Sequence, residues 1–404
     1  MIVRVKFMKR LFIVALVFVF WATITEATPA ARKKTTPFGK PAATRQAKKP
    51  QEPYKAYIVV EANTGKVIEG ENVDAKRPPA SITKLMVACI VMEKLATGAV
   101  KLTDQIIVSK NASKIGGSQV YLKEGETFNL EELMKAMMIH SANDAAYAIS
   151  EHVAGSIDDM VRLMNDKAKM LGMNNTEYHS VHGLPPAKGE KEDLTSCNDL
   201  AILAREVLKY PKIIEWSGTK TDTFRNGTFV LSNTNKLLTK FPGTDGLKTG
   251  YYHETGFNIV ATAKKGELRF IAVVMGGPSG KIRDDVAMEK LKKAFSQYKI
   301  LNIVKKGEVI DKDVFLVDGK YRKIKGVADK DFLYPMFVDK KGDIKKEILL
   351  PEKIKGEIRE KQKLGEIVIK LDDQIIGKVD IVSPMYVPNA NLFTRFIRRL
   401  GLNI

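Results

Sequence analysis

Thiols and histidines are scarce in this chain of 404 residues, which has two cysteines and five histidines. Two cysteines are too few for a disulfide framework, even where export would permit a single bond. The histidines form no H-E-x-x-H motif and no cluster with cysteine, so neither a metal site nor a cofactor is indicated. A membrane-spanning run is also missing, because the longest apolar stretch, residues 11–24, falls short of the ~20 residues a span needs. It follows the basic residues Arg4, Lys6, Lys9 and Arg10 and precedes small residues at Ala27 and Ala30. Residues 1–27 therefore read as a Sec-type signal peptide, with an uncleaved N-terminal anchor as the alternative. Residues 28–53 are rich in Lys, Arg, Pro, Ala and Thr without apolar period, the composition of a disordered linker. Acidic residues are outnumbered, 47 against 66 basic, giving a net charge of +19. The positive charge is spread along the chain and accompanies no recognition-helix or RNA-binding signature, which argues against nucleic acid. For an exported chain the anionic neighbours are wall polymers and lipid head groups.

Three short motifs stand out against this background: Ser81-Ile82-Thr83-Lys84, Ser141-Ala142-Asn143 and Lys248-Thr249-Gly250. A serine hydroxyl needs a base within hydrogen-bond reach to act as a nucleophile, and residues three apart share a helix face. Pro78-Pro79 stops what precedes, and the apolar run from Ile82 to Val91 predicts a buried helix that begins at Ser81. The positive end of that helix favours developing negative charge near Ser81, and desolvation lowers the pKa of Lys84 toward that of a useful base. The second motif lies between amphipathic stretches at 130–139 and 144–153, so it reads as a helix-to-helix loop. The third precedes two apolar runs, 257–263 and 268–275, joined at Lys265-Gly266 as an antiparallel hairpin, and Gly250 permits close approach of backbone or ligand. Each motif alone also fits a cap or a surface turn; their order and company point to one site. Cys89 falls inside the buried helix as a small core residue, and Cys197 in a loop.

The three motifs together resemble those of the D-alanyl-D-alanine carboxypeptidases, low-molecular-mass penicillin-binding proteins of the serine β-lactamase/DD-peptidase superfamily. The likeness extends over residues 54–297: residues 56–67 resemble an opening hairpin, and Met164-Asn165-Asp166-Lys167-Ala168, Leu171-Gly172-Met173 and His182-Gly183-Leu184 match as well. The resemblance implies an α+β, α/β-like catalytic domain, an antiparallel sheet flanked by helices plus a helical region, followed by a small all-β domain. It implies a serine carboxypeptidase acting on peptidoglycan stem peptides through an acyl-enzyme, inhibited by β-lactam antibiotics, with Ser81, Lys84, Ser141 and Asn143 catalytic. Lys248, Thr249, Gly250, Tyr251 and Arg283 would bind substrate, and His182 and Asp199 would support the site and hydrolysis. Two other readings remain. A class A β-lactamase shares the motifs, but Glu177, Glu190 and Glu192 do not form its glutamate pattern, and Ala142 replaces the middle aspartate. A non-enzymatic penicillin-sensing or wall-binding module would lose a motif residue, and none is lost.

Beyond residue 297, short strand-like runs broken by Gly and Asp predict a small β-rich domain over 298–383. Residues 384–404 end in a segment with Leu392, Phe393, Phe396, Ile397 and Leu400 on one helical face and Arg395, Arg398 and Arg399 off it. That pattern is an interfacial amphipathic helix, or else a helix packed on the β domain. The combined expectation is an exported enzyme held at the outer face of the bacterial cytoplasmic membrane.

Overall fold

The computed structural model describes residues 52–339 and 342–399. The expected signal peptide, 1–27, and nearly all of the linker, 28–53, lie outside the described residues.

Five antiparallel strands form the central sheet, in the spatial order Val67–Glu71, Ala56–Glu61, Leu268–Gly277, Gly256–Lys265, Thr244–Tyr252. The strand Ala56–Glu61 thus pairs with Leu268–Gly277, about two hundred residues later, and the strand bearing Lys248-Thr249-Gly250 is left at the edge. Strand alternation sends side chains to both faces. Tyr57, Val59, Ile259, Ala261, Phe270 and Ala272 pack on Val286, Ala287 and Leu291 of the helix Gly280–Gln297. Ile58, Val60, Val260, Ile271 and Val273 face a larger helical core.

At the centre of that core is the helix Lys84–Ala96, in which every residue from Lys84 to Val91 is buried, so its first two turns have no polar face. Burying one Leu, Ile or Met side chain contributes about 1.5–3 kcal/mol, which fixes this helix as the axis against which the others settle. Asn129 and Glu132 form a reciprocal capping box that starts the helix Leu130–Ile139. The helix Asn143–Ala154 ends at Gly155 and Ile157–Leu171 at Gly172, both left-handed caps. Cys197 was expected in a loop; it is the buried first residue of the helix Cys197–Val207, capped by Ser196, whose hydroxyl accepts from Asp199 N.

The C-terminal region is β-structured, as expected. A six-stranded sheet runs Ile344–Leu349, Lys363–Leu371, Gln374–Val382, Lys323–Ala328, Val309–Leu316, Lys353–Ile354, and Tyr298–Val304 pairs separately with Phe332–Phe337. The expected boundary at residue 384 shifts: Val387 and Ala390 are still buried in this domain, held by bridges between Val387 and Ile358 and between Asn389 and Gly319. Helix begins only at Leu392 and is described to Arg399, so 384–391 is not helical.

Candidate active site

Ser81 lies in a 3-10 turn, Ala80–Thr83, that runs directly into the helix opened by Lys84. The nucleophile candidate therefore precedes the α-helix by one tight turn instead of starting it. Lys84 Nζ is fully buried and donates to Ser81 Oγ at 3.0 Å, Asn143 Oδ1 at 2.6 Å and the carbonyl of His182 at 2.7 Å. Burial, reinforced by the nearby charge of Lys248, pushes its pKa well below the ordinary lysine value. A lysine amine whose charged form is disfavoured in this way is placed to take a proton from Ser81.

Helix Leu130–Ile139 ends before Ser141, whose φ of 67° is left-handed for a side chain that disfavours it. A residue held there costs about 1–3 kcal/mol and persists where its surroundings determine it. Ser141 Oγ accepts from Lys248 Nζ at 2.7 Å, and Asn143 Nδ2 donates to the carbonyl of Gly116 at 2.7 Å. Lys248 is buried, and desolvation followed by repulsion from Arg283 lowers its pKa to about 7. Thr249 Oγ1 donates to Thr234 Oγ1 at 2.7 Å.

The edge strand and the Ser81 turn touch because residue 250 is glycine: a Cβ there would meet the carbonyl of Pro79 at 2.4 Å. Gly183 does the same from the other side, with φ of 73° and a hypothetical Cβ 2.0 Å from the carbonyl of Ala80. The resulting cleft of about 290 Å³ is lined by Ser81, Ser118, Ser141, Thr249, Tyr251 and Arg283, among others. Tyr251 stacks on Phe257 with ring centroids 4.0 Å apart. Arg283 is bound to Asp284 at 2.6 Å and reaches the cleft beside Gly280.

The structure brings Ser81, Lys84, Ser141, Asn143, Lys248, Thr249, Gly250, Tyr251 and Arg283 together. It does not bring in the side chains of the two supporting residues. The His182 imidazole accepts from Leu184 N through Nδ1, and burial together with the Lys84 charge lowers its pKa to about 4; what reaches Lys84 is its backbone carbonyl. Asp199 accepts from Asn175 N and Thr176 Oγ1, bracing a loop. Three contributors escaped the sequence reading: Ser118 and Thr234 in the cleft wall, and Asp193, which ties that loop to Thr83. The spacing around them carries no period to reveal them. Glu177, Glu190 and Glu192 do not line the cleft, and among the described residues there is no metal-ligating cluster.

A serine and a buried lysine that makes no ion pair among the described residues, facing a second serine–lysine pair, define an acyl-transfer site of the serine hydrolase class. Residues 43–279 match the D-alanyl-D-alanine carboxypeptidase family, and residues 298–389 match the C-terminal domain of penicillin-binding protein 5. The chain is 36% identical over 354 residues to D-alanyl-D-alanine carboxypeptidase DacF of Bacillus subtilis, spanning 86% of this chain and 89% of that one. Identity to DacA of Escherichia coli K12 is 30% over 361 residues, 87% and 88% of the two chains. The crystal structure of a peptidoglycan synthesis regulatory factor, PBP3, from Streptococcus pneumoniae superposes with a TM-score of 0.74 at 26% identity, covering 83% of this chain and 99% of that one. Ampicillin-bound penicillin-binding protein D2 of Listeria monocytogenes superposes with a TM-score of 0.54 at 29% identity, covering 60% and 96%. The chain belongs to the D-alanyl-D-alanine carboxypeptidase family and is a serine-type D-Ala-D-Ala carboxypeptidase.

Proposed function

We propose that Ser81 removes the terminal D-alanine of peptidoglycan stem pentapeptides through an acyl-enzyme, with Lys84 as its base. The observation that carries this assignment is the fully buried Lys84 amine, 3.0 Å from Ser81 Oγ and otherwise hydrogen-bonded to Asn143 Oδ1 and the His182 carbonyl. Lys84 takes the Ser81 proton as Oγ attacks the carbonyl of the D-Ala-D-Ala bond, and the N–H groups of Ser81 and Tyr251 hold the oxyanion. Ser141 gives its proton to the leaving amine and is resupplied by Lys248, 2.7 Å away. Water then adds to the ester, its proton passing through Ser141 to Lys248, while the Lys84 ammonium reprotonates Ser81. Asn143 orients the substrate amide, and Thr249, Lys248 and Arg283 receive the terminal carboxylate, since cations in a partly dry wall favour an anion by about 1.5–3 kcal/mol.

β-Lactams offer the same carbonyl and carboxylate and leave a slowly hydrolysed adduct on Ser81; the ampicillin-bound relative from Listeria supports this. The N-terminal segment, 1–27, directs export. No described helix is long and apolar enough to cross a membrane; the helix Leu392–Arg399, with Leu392, Phe393 and Phe396 exposed, attaches the enzyme to the lipid surface.

A denaturing gel after incubation with a fluorescent penicillin tests the nucleophile: the wild type is labelled and Ser81→Ala is not. Labelling that persists in Ser81→Ala removes the assignment. Mass analysis of a muropeptide digest should show loss of one D-alanine per stem.

A further inference from the structure

Beside the catalytic cleft, and sharing Tyr251 and Phe257 with it, lies a second recess of about 300 Å³ that the reaction above does not use. Its charged lining includes Glu52, Lys55, Arg77 and Glu254. Lys55 is already paired, with Glu52 at 2.8 Å. Arg77 is not: its Nε is buried without a hydrogen-bond partner, and no carboxylate pairs with its guanidinium among the described residues. A buried donor on a cation with nothing to bind is costly and calls for an acceptor.

The recess is held open by construction. Arg77 is fixed by its backbone, which exchanges hydrogen bonds with Thr195 at 2.7 and 2.9 Å. The tip of the hairpin formed by Thr244–Tyr252 and Gly256–Lys265 is pinned to the residue after Arg77, Thr255 Oγ1 donating to the carbonyl of Pro78 at 2.7 Å. Residue 276 is a glycine, and a Cβ there would lie 2.6 Å from Lys55 Cγ and 3.3 Å from Arg77 Nη2.

We propose that this recess binds a carboxylate on the acyl side of the stem peptide, upstream of D-Ala-D-Ala, through the Arg77 guanidinium. The inference rests on the catalytic reading above, which sets the substrate's direction. The leaving D-alanine carboxylate sits at the Lys248, Thr249 and Arg283 end, and the scissile carbonyl lies between Ser81 and Tyr251. The remainder of the peptide therefore runs past Tyr251 along the edge strand toward the hairpin tip, where the recess opens. Two groups on a stem peptide have the required chemistry: the α-carboxylate of a γ-linked D-glutamyl residue, and the distal carboxylate of a diaminopimelyl third residue. The planar fork of arginine suits either one.

The test compares three peptides ending in D-Ala-D-Ala. One carries diacetyl-L-lysine and no upstream carboxylate, one carries N-acetyl-diaminopimelate, and one carries N-acetyl-γ-D-glutamyl-Nε-acetyl-L-lysine. Wild-type kcat/KM should favour one of the two acidic peptides over the neutral one by about tenfold or more, and which one identifies the source. Arg77→Gln should abolish that preference while hydrolysis of the neutral peptide and penicillin acylation stay within about twofold. Amidating the responsible carboxylate should remove the advantage in the wild type, a measurement that needs no variant to fold. The proposal is overturned if the wild type treats the three peptides alike, if amidation changes nothing, or if Arg77→Gln lowers all three equally. A wild type that neither hydrolyses the neutral peptide nor takes penicillin overturns the catalytic reading instead.

Discussion

Asp193 accepts a 2.8 Å hydrogen bond from the hydroxyl of Thr83, two residues after Ser81, and binds His179 N, Ser180 N and Ser180 Oγ with its remaining lone pairs. One buried carboxylate thus joins the serine turn to the loop whose His182 carbonyl receives Lys84. Four donors around one acceptor leave nothing to replace it. Asp193→Ala should lower stability by about 3–5 kcal/mol, the cost of stranding several buried donors, and slow penicillin acylation as the Lys84 partners drift. A thermal melt beside acylation rates checks this; wild-type values for both would show that the loop is positioned by other contacts.

The pH profile of acylation should follow the two lysines. Burial lowers both pKa values, that of Lys84 well below the ordinary lysine value and that of Lys248 to about 7. A lowered lysine pKa means that the charged form is lost at lower pH. Acylation that requires charged Lys248 must therefore fall as pH rises through about 7. Arg283 is the second cause of the Lys248 shift, so Arg283→Gln should raise that pKa and move the descending limb to higher pH, whatever it does to the maximum rate. A limb that stays in place in the variant would show that another group titrates there.

Much of this site could be read from the chain because its chemistry is local. Ser81 and Lys84 are three residues apart on one turn, Ser141 and Asn143 flank one helix-to-helix junction with Asn143 opening the second helix, and Lys248, Thr249 and Gly250 are consecutive on one strand. Apolar periodicity placed the helix Leu130–Ile139 and the hairpin of Gly256–Lys265 with Leu268–Gly277. What stayed hidden depends on contacts between distant segments. Asp193 reaches Thr83 across 110 residues, and Ser118 enters the cleft from a segment of turns without repeating pattern. The pairing of Ala56–Glu61 with Leu268–Gly277 likewise has no signature in either strand alone. His182 was found by its motif, but motif matching speaks of side chains, and the contact with Lys84 is made by its carbonyl.

That distinction yields a sharp contrast between neighbours. His182→Ala keeps the carbonyl and loses one imidazole bond to Leu184 N, so penicillin labelling and release of the adduct should stay near wild type, with a stability loss of about 1 kcal/mol. Gly183→Ala should be far worse. A methyl group would collide with the Ala80 carbonyl at 2.0 Å in a left-handed conformation, displacing the serine turn itself. Labelling that survives in Gly183→Ala and vanishes in His182→Ala would reverse the assignment and put the imidazole in the reaction.

Attachment to lipid should reside in the last helix. Leu392, Phe393 and Phe396 are 82%, 70% and 60% exposed, and burying such side chains contributes about 1.5–3 kcal/mol each. Basic residues near an anionic surface add about 1 kcal/mol apiece. Arg398 meanwhile donates to the carbonyls of Gly319 and Lys320, which sets the helix on the β domain by its polar side and leaves the aromatic side free. Deleting residues 391–404 leaves Ala390 and its 2.7 Å bond to the Asp318 carbonyl in place, so the truncated enzyme should melt near wild type and hydrolyse soluble peptides at an unchanged rate. It should also move from the membrane to the soluble fraction, as should the full-length pair Phe393→Ser and Phe396→Ser, which keeps every arginine. Retention of both forms on the membrane would assign the attachment to the N-terminal segment. Release of the deletion alone would show that charge, rather than the exposed aromatic side, holds the enzyme there.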